Sequence, residues 1–376
     1  MRVLVVPSWY PNTVDPTAGV FIRGQVEAIG TAVEVAVLHV ENGTENSAPA
    51  ISVEGSTTVS RSAIEAAGSR QRYLGCRRAG LVAVEALALE WGTPDIIHVQ
   101  ALWPAALIAR AIKRKYGIPY VVTEHSEEYL PQSERRLVKY PVVVRWLLRP
   151  LARGASRTIA VSRHLADRLL ELGLTAGEPI VIPNVVPVSE PTPLPLDAPH
   201  VIAHVSVMGP AKNIDGLLEA VQRLRERRSD FALRLVGDGE LRADLERLAA
   251  SLDLGDIVEF TGRKTPDEVR AILGESVFTV VSSTHETFSV VAVESLMCGR
   301  PVLSTRCGGP EEFVAPEVGH LVASGSVDAL VDGLDWMLDN YGDYDPQRLH
   351  EYARARFAPD VVAERIVQVY REVLGG

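Results

Sequence analysis

Two carboxylates eight positions apart, Glu286 and Glu294, offer the clearest chemistry in the sequence. An apolar run just before them is typical of a buried strand, and 288–298 has the pattern of a short helix. The free amides and the positive dipole end of a helix N-terminus bind anions, so we expect a phosphate near Ser289 and Val290. Glu286 would lie before this helix and Glu294 about a turn and a half into it. Two carboxylates would then flank one phosphate site.

This pair of carboxylates suits a ligand in which phosphates join two sugars. Carboxylate oxygens accept hydrogen bonds from vicinal hydroxyls, as the acidic residue of a dinucleotide-binding fold does with a ribose. A simpler interpretation is that Glu286 caps the helix, with about 0.3–1 kcal/mol from the dipole, and that Glu294 is a solvated helix residue. The two glutamates taken alone leave both interpretations open.

The run from Glu286 to Glu312 resembles the signature of the retaining family 4 glycosyltransferases, in which seven residues separate two glutamates. The resemblance extends from Met1 to the last predicted helix. Other segments match in the family's order, at 123–125, 159–162, 182–184, 236–242 and 258–262. The resemblance implies the GT-B fold, an α/β architecture of two doubly wound Rossmann-like domains that face each other across a cleft.

The same resemblance implies a reaction. A sugar would pass, with retention of configuration, from a nucleoside diphosphate sugar to a hydroxyl of a sugar, lipid-linked or small-molecule acceptor. The product would be a cell-surface polysaccharide, a glycolipid or a small glycoside. The family needs no protein nucleophile, and nothing in the sequence resembles a D-x-D metal motif in the right context, so we expect a metal-independent enzyme without a cofactor.

Ten positions carry the roles that the resemblance implies. The residues assigned to catalysis are His125, Lys212 and Glu286. The residues assigned to donor binding are Gly19, Gly237, Arg263, Phe288, Ser289, Val290 and Glu294. In this family the lysine binds the phosphates, the histidine hydrogen-bonds the donor sugar, and the first glycine lets the backbone approach the diphosphate.

One segment departs from the family pattern. The family usually has an arginine shortly before the phosphate-binding lysine, but Val207, Met208 and Gly209 occupy those positions here. We expect Arg263 or Lys264 to supply the missing charge, or the backbone amides to hold more of the phosphates.

Several assigned residues also have an ordinary structural interpretation. Lys212 could be an exposed loop lysine, Gly19 a loop glycine with a free φ, and His125 a buried structural histidine. His98 and His285 lie near predicted strand ends without a comparably specific match, so they are weaker candidates.

Strand-like apolar runs alternate with helical patterns, which indicates parallel sheets in doubly wound domains. Five prolines crowd 185–200, where neither a helix nor a central strand could continue. We therefore predict an acceptor-side domain over 1–184, a linker over 185–200 and a donor domain over 201–358. The last helix, in 359–376, is expected to pack back on the first domain.

Composition excludes several classes of protein. The net charge of −10 argues against a general nucleic-acid binder, whose affinity would rest on Lys and Arg. The three cysteines are odd in number and lack C-x-x-C spacing, so they suggest neither a disulfide framework nor a zinc site. No apolar run reaches the 18 or so residues of a membrane-spanning helix. We expect a cytoplasmic protein whose membrane association, if any, is peripheral.

Basic and apolar residues interleave in 135–153. On an acidic protein, this local excess favours contact with an anionic membrane surface or a lipid-diphosphate acceptor. An amphipathic helix packed on its own domain, with arginines reaching to solvent, explains the pattern equally well.

Two other functions stay open from the sequence. A catalytically silent protein could bind a sugar nucleotide in the same pocket. A nicotinamide-dependent oxidoreductase would also use doubly wound domains, but the first predicted strand leads to Pro7–Pro11, without the G-x-G-x-x-G that this cofactor needs.

Overall fold

The computed structural model describes residues 1–12, 15–43, 46–65, 69–133, 141–195 and 197–375. The chain divides into two compact units. Unit 1 combines Met1–Val185 with Pro359–Gly376, and unit 2 is Val186–Ala358.

Unit 1 is built on a mostly parallel sheet. Its strands are β1 (Arg2–Pro7), β2 (Glu34–Gly43), β3 (Ala50–Glu54), β4 (Thr57–Glu65), β5 (Ile96–Gln100), β6 (Tyr120–Glu124), β7 (Arg157–Ala160) and β8 (Ile180–Val181). Among the described residues, these eight strands lie in the order β3-β4-β2-β1-β5-β6-β7-β8, and β3 pairs antiparallel to β4. β1 is apolar and buried along nearly its whole length, as parallel strands covered on both faces are.

The helices of unit 1 connect these strands. They are α1 (Val20–Gly30), α2 (Ser69–Glu90), α3 (Ala105–Tyr116), α4 (Pro141–Val143), α5 (Arg149–Ala152), α6 (Arg163–Leu172) and, from the end of the chain, α13 (Pro359–Gly375). α13 packs on α1, where Ile366 and Tyr370 share a buried cluster with Val26 and Ile29. Burial of such side chains contributes about 1.5–3 kcal/mol each, so α13 is part of the core of unit 1.

Unit 2 is built on a second, fully parallel sheet. Its strands are β9 (His200–Val205), β10 (Phe231–Val236), β11 (Val258–Gly262), β12 (Phe278–Val281), β13 (Val302–Thr305) and β14 (Gly319–Val322). They lie in the order β11-β10-β9-β12-β13-β14 in the described part of the chain. Its helices are α7 (Ile214–Arg225), α8 (Arg242–Ser251), α9 (Pro266–Glu275), α10 (Val290–Met297), α11 (Val327–Asn340) and α12 (Pro346–Phe357).

The proline-rich segment between the predicted domains has no regular secondary structure. Residues 186–195 and 197–199 form no helix or strand, and they belong to unit 2. The Arg300 side chain, which is fully buried, holds this segment in place. Its guanidinium donates to the carbonyl oxygens of Thr192 at 2.7 Å and Pro193 at 2.7 Å, and also to the carbonyl oxygen of Gly274.

Arg300 is a buried cation whose acceptors in the described part of the chain are neutral oxygens. Burial lowers the pKa of Arg300 to about 10. The surrounding carbonyl groups satisfy most of its donors, which offsets much of the cost of burying the charge.

Replacement of this guanidinium should destabilise unit 2. The Arg300→Met change keeps the length of the side chain but leaves several buried carbonyl oxygens without a donor, so we expect a loss of roughly 3 kcal/mol. Urea denaturation followed by circular dichroism measures the loss. The matched control is Arg306→Met, because Arg306 is exposed and forms one long ion pair with Glu311 at 3.6 Å. Equally small losses in the free energy of unfolding of both variants would contradict this stabilising role of Arg300.

Candidate functional site

Four loops meet at the carboxyl ends of the parallel strands in unit 2. The loop after β9 pairs with the loop after β10, since the Met208 amide donates to the Asp238 carbonyl at 2.9 Å. It also meets the loop after β12, where the Thr284 amide donates to the Ala211 carbonyl at 2.8 Å. Open α/β sheets bind ligands at this edge.

A partly buried ion pair joins two of these loops. Lys212 Nζ lies 2.5 Å from Glu286 Oε1, and both side chains are largely shielded from solvent. The Ser283 hydroxyl donates to the same carboxylate oxygen at 2.8 Å. Ser282 Oγ donates to the Lys212 carbonyl at 2.7 Å, which fixes the backbone of the lysine as well. The structure therefore brings together two of the three residues predicted to act in catalysis.

The backbone of Glu286 is held from the loop after β13. Its amide donates to the Cys307 carbonyl at 2.7 Å, and its carbonyl accepts from the Gly309 amide at 3.0 Å. Gly308, between these two, has a φ of 106°, a conformation that favours glycine. The glutamate thus has a fixed position in both its main chain and its side chain.

The helix after this loop begins later than the sequence predicts. α10 starts at Val290 rather than at residue 288, and it ends at Met297. The Phe288 ring packs against Phe313 and Phe357, at centroid distances of 5.5 and 5.7 Å, and Ser289 takes a left-handed φ of 74°. The Phe288 side chain therefore belongs to the core. The first amides of α10 have no partner within the helix, as at any helix start.

Ser289 and Glu294 are the polar predicted residues on α10 and its cap. Ser289 is 8% exposed, and its hydroxyl has no hydrogen-bond partner among the described residues. Glu294 is half-buried. Burial raises the pKa of Glu294 to about 7, and the charge of Arg270 opposes this rise. At neutral pH, Glu294 therefore exchanges between a protonated and an ionised carboxyl.

The two predicted glycines allow close backbone contacts within each unit. Gly237 has a φ of 124°, and a Cβ there would lie 1.9 Å from the Ser206 carbonyl oxygen. Gly19 caps α1 with a φ of 65°, and a Cβ there would lie 2.7 Å from the Trp9 carbonyl oxygen. Packing of the chain on itself thus explains both glycines without a ligand.

The segment that lacks the family's arginine places no cation before Lys212. Val207 is 73% exposed, whereas Met208 is fully buried. Arg263 is exposed just after β11, and Lys264 forms an ion pair with Glu268 at 3.5 Å. That Arg263 or Lys264 supplies the missing charge stays a prediction.

In unit 1, His125 follows directly after β6. Its ring is 7% exposed, packs against Phe21 at a centroid distance of 5.0 Å, and places Nε2 2.7 Å from Gln100 Oε1. Burial lowers the pKa of His125 to about 3, so the ring is neutral. This histidine can bind hydroxyl groups as a neutral hydrogen-bonding residue.

The two weaker candidates, His98 and His285, are buried and hydrogen-bonded to neighbouring side chains. His98 is fully buried between Tyr370 Oη at 2.5 Å and Thr123 Oγ1 at 2.7 Å, and burial lowers its pKa to about 3. His285 is also buried, with Nδ1 3.0 Å from Thr284 Oγ1.

Sequence reasoning missed Gln100 and His204. His204 is buried on β9, with its ring nitrogens 3.0 Å from the Val280 carbonyl and 3.0 Å from Ser206 Oγ, and it lies near the Lys212 and Glu286 charges. Neither residue stands in a recognisable motif. Gln100 is a single polar residue at the end of an apolar strand, and this position is the one feature of the sequence that could have indicated it.

The described residues contain no group of three or more His, Cys, Asp or Glu side chains that could hold a metal ion. No helix in the described ranges is long and apolar enough to span a membrane. The basic segment predicted to contact a membrane lies partly outside the described residues, at 134–140, so that contact stays a prediction.

Two family models together match most of the chain. The model for glycosyltransferase family 4 matches residues 29–190, and the model for glycosyl transferases group 1 matches residues 191–356. The boundary between the two matches falls within the proline-rich segment.

Curated relatives agree with these models. An uncharacterized glycosyltransferase of Methanocaldococcus jannaschii is 30% identical over 230 residues, which are 61% of each chain. The MMP α-(1→4)-mannosyltransferase of Mycolicibacterium hassiacum is 30% identical over 314 residues, which are 78% of this chain and 74% of the relative.

Solved structures share the fold over almost the whole chain. A sucrose-phosphate synthase from Thermosynechococcus elongatus has a TM-score of 0.79 at 21% identity and covers 100% of both chains. The Anabaena protein HepE, solved in complex with UDP and glucose, has a TM-score of 0.77 at 18% identity and covers 99% of this chain and 100% of its own. These likenesses confirm the predicted GT-B fold class. By the family models and the mannosyltransferase relative, the chain belongs to the group 1 glycosyl transferases, and it is a glycosyltransferase.

Proposed function

We propose that this enzyme transfers a sugar from a nucleoside diphosphate sugar to a hydroxyl acceptor with retention of configuration and without a metal ion. The observation that carries the proposal is the Lys212–Glu286 pair, which lies one loop before the N-terminus of α10. A cation, a fixed carboxylate and free helix amides occur there within one short stretch of structure. These groups suit the diphosphate and the hydroxyls of such a donor.

Each group has a defined part in the proposed reaction. Cleavage of the bond between sugar and phosphate places negative charge on the leaving diphosphate, which Lys212 and the first amides of α10 stabilise. Glu286 accepts hydrogen bonds from the transferred sugar, and Glu294 from the ribose. His125 is neutral and hydrogen-bonds the donor sugar. The leaving diphosphate takes the proton of the acceptor hydroxyl, so no side chain acts as a nucleophile.

The relatives support a nucleotide-sugar donor without deciding which one. One relative is named a mannosyltransferase, and HepE binds UDP and glucose. We propose a nucleoside diphosphate sugar as the donor, and UDP, which HepE binds, is the first nucleotide to test. The acceptor is proposed as a class only, a hydroxyl of a sugar, a lipid-linked sugar or a small molecule.

Nucleotide binding should raise the thermal stability of the protein. A ligand at about 100 times its dissociation constant adds roughly 2.7 kcal/mol, a shift of roughly 5–10 °C at this size. We expect this shift with one of UDP, GDP or ADP, and a smaller shift in Glu294→Gln. The charge-matched control is Glu219→Gln, since Glu219 is exposed on α7. A shift only with NAD would favour an oxidoreductase instead.

The affinity for that nucleotide should depend on pH through Glu294. Because the pKa of Glu294 is about 7, the carboxyl is mostly protonated at pH 6 and mostly ionised at pH 8. The ionised form accepts from two hydroxyls, so the dissociation constant should fall about tenfold between these pH values. Isothermal titration calorimetry measures it. The nucleotide's own phosphate titrates in the same way with either protein. Because Glu294→Gln lacks the titrating carboxyl, its dissociation constant should change clearly less with pH.

Transfer of a radiolabelled sugar tests the chemistry directly. The Lys212→Met change removes the cation from the leaving group, so we expect the rate constant to fall by about 10²–10³. Lys115→Met, which changes an exposed lysine of unit 1, should retain the full rate. EDTA should not lower the rate of the unchanged protein. Nucleotide binding without hydrolysis or transfer of any donor would indicate a catalytically silent binder.

A further inference from the structure

Unit 1 contains a cavity that none of the residues assigned to the site above lines. It has a volume of about 780 Å³ and lies between α2, the end of β4 and the loop that joins β2 to β3. β2 and β4 are parallel neighbours, so the cavity is at the carboxyl ends of parallel strands, where open α/β sheets bind ligands. Its volume is that of a small-molecule site.

Ser62, near the end of β4, is the observation that points to a ligand. It lines the cavity and is 3% exposed, and its hydroxyl has no hydrogen-bond partner among the described residues. Buried polar groups in native proteins are nearly always hydrogen-bonded. The unpaired hydroxyl therefore indicates a partner that enters the cavity.

The polar groups around the cavity are mainly hydrogen-bond donors. Asn46 Oδ1 accepts from the Glu65 amide at 3.1 Å, and Ser47 Oγ accepts from the Ala63 amide at 2.7 Å. These two bonds use acceptor atoms, so the amide NH₂ of Asn46 and the O–H of Ser47 stay available as donors. The Ser62 hydroxyl is a third donor.

Arg78 adds a positive charge to these donors. It is exposed on α2, lines the cavity, and forms no hydrogen bond or ion pair with the described residues. Among the described lining residues, Glu65 is the one carboxylate. A guanidinium next to several neutral donors fits a phosphate, because arginine binds such a group through two parallel hydrogen bonds.

Much of the remaining lining is apolar. Ile64 is buried on β4, whereas Ala79 and Val82 lie one turn apart on α2. The Val82 side chain is 48% exposed. Covering this surface with an apolar group removes it from water, which is favourable. The cavity thus offers an apolar wall beside a group of donors.

We propose that this cavity binds an anionic amphiphile, with a phosphate held by Arg78 and Ser62 and an alkyl chain along Ala79 and Val82. The inference goes beyond the proposed function and does not depend on it, because binding requires neither a nucleotide nor sugar transfer. A lipid diphosphate combines the same two chemical groups, so the cavity suits an acceptor of the lipid-linked class.

Dodecyl phosphate, below its critical micelle concentration, is the probe that tests the proposal. Isothermal titration calorimetry on the whole protein without nucleotide should give a dissociation constant at least about tenfold below those of inorganic phosphate and of uncharged dodecyl maltoside, since each lacks one of the two groups. In carbon-13 NMR of alanine-labelled protein, the Ala79 methyl signal, assigned by its loss in Ala79→Ser, should shift. This shift locates the ligand.

Two pairs of variants test the polar contacts. Arg78→Met should raise the dissociation constant about tenfold, whereas Arg77→Met, at an exposed neighbour outside the described lining, should not change it. Ser62→Ala should raise the constant by about 3- to 10-fold. Its control is Ser60→Ala, because Ser60 is also buried and unpaired in the described structure, on the same face of β4, but is not a lining residue there.

Both alanine changes remove an unpaired hydroxyl, so they should preserve the fold, and lost affinity reports lost contact. Equal dissociation constants for Arg78→Met and Arg77→Met would show non-specific binding and overturn the inference. An unchanged constant in Ser62→Ala would also overturn it, since the hydroxyl would then bind only a buried water. If no nucleotide binds the protein, the proposed function fails, but these titrations still decide what the cavity binds.

Discussion

The ion pair between Lys212 and Glu286 joins residues 74 positions apart, and the geometry of the candidate donor site depends on it. Through this pair, the loop after β9 and the loop after β12 take fixed positions next to the start of α10. The backbone bonds of Glu286 to Cys307 and Gly309 extend the same arrangement to the loop after β13. The parallel sheet brings these three loops to a common edge. The ion pair and the backbone bonds of Glu286 then fix their positions relative to one another.

The two units differ in the charge of their candidate residues. Unit 2 supplies charge, with a cation already neutralised by a carboxylate and a second carboxyl, Glu294, whose pKa lies near neutrality. In unit 1, burial keeps His98 and His125 uncharged, so they act as neutral hydrogen-bonding side chains. Phosphate groups respond to charge, whereas hydroxyl groups are distinguished by the positions of hydrogen-bond donors and acceptors.

The sequence predicts the alternation of strands and helices, and it predicts that Glu286 precedes α10 and that Glu294 lies within it, because periodicity and motif spacing are local properties. It fails where long-range packing decides. The start of α10 moves by two residues because the Phe288 ring joins a cluster with Phe313 and Phe357, which no local pattern indicates. The Gln25–Gln100 contact spans 75 positions, and isolated glutamines carry no signal of it. Nothing local in the sequence indicates that Arg300 is buried, because its acceptors Thr192 and Pro193 lie 108 and 107 positions away.

The packing of α13 on α1 has a consequence for synthesis on the ribosome. Unit 1 consists of two chain segments, and the whole of unit 2 lies between them in sequence. Until Ile366 and Tyr370 have left the ribosome, the apolar face of α1 around Val26 and Ile29 lacks its cover, and His98 lacks the Tyr370 hydroxyl. While unit 2 is being synthesised, the first segment therefore exposes an apolar face that the complete chain buries, and such exposed surfaces favour aggregation.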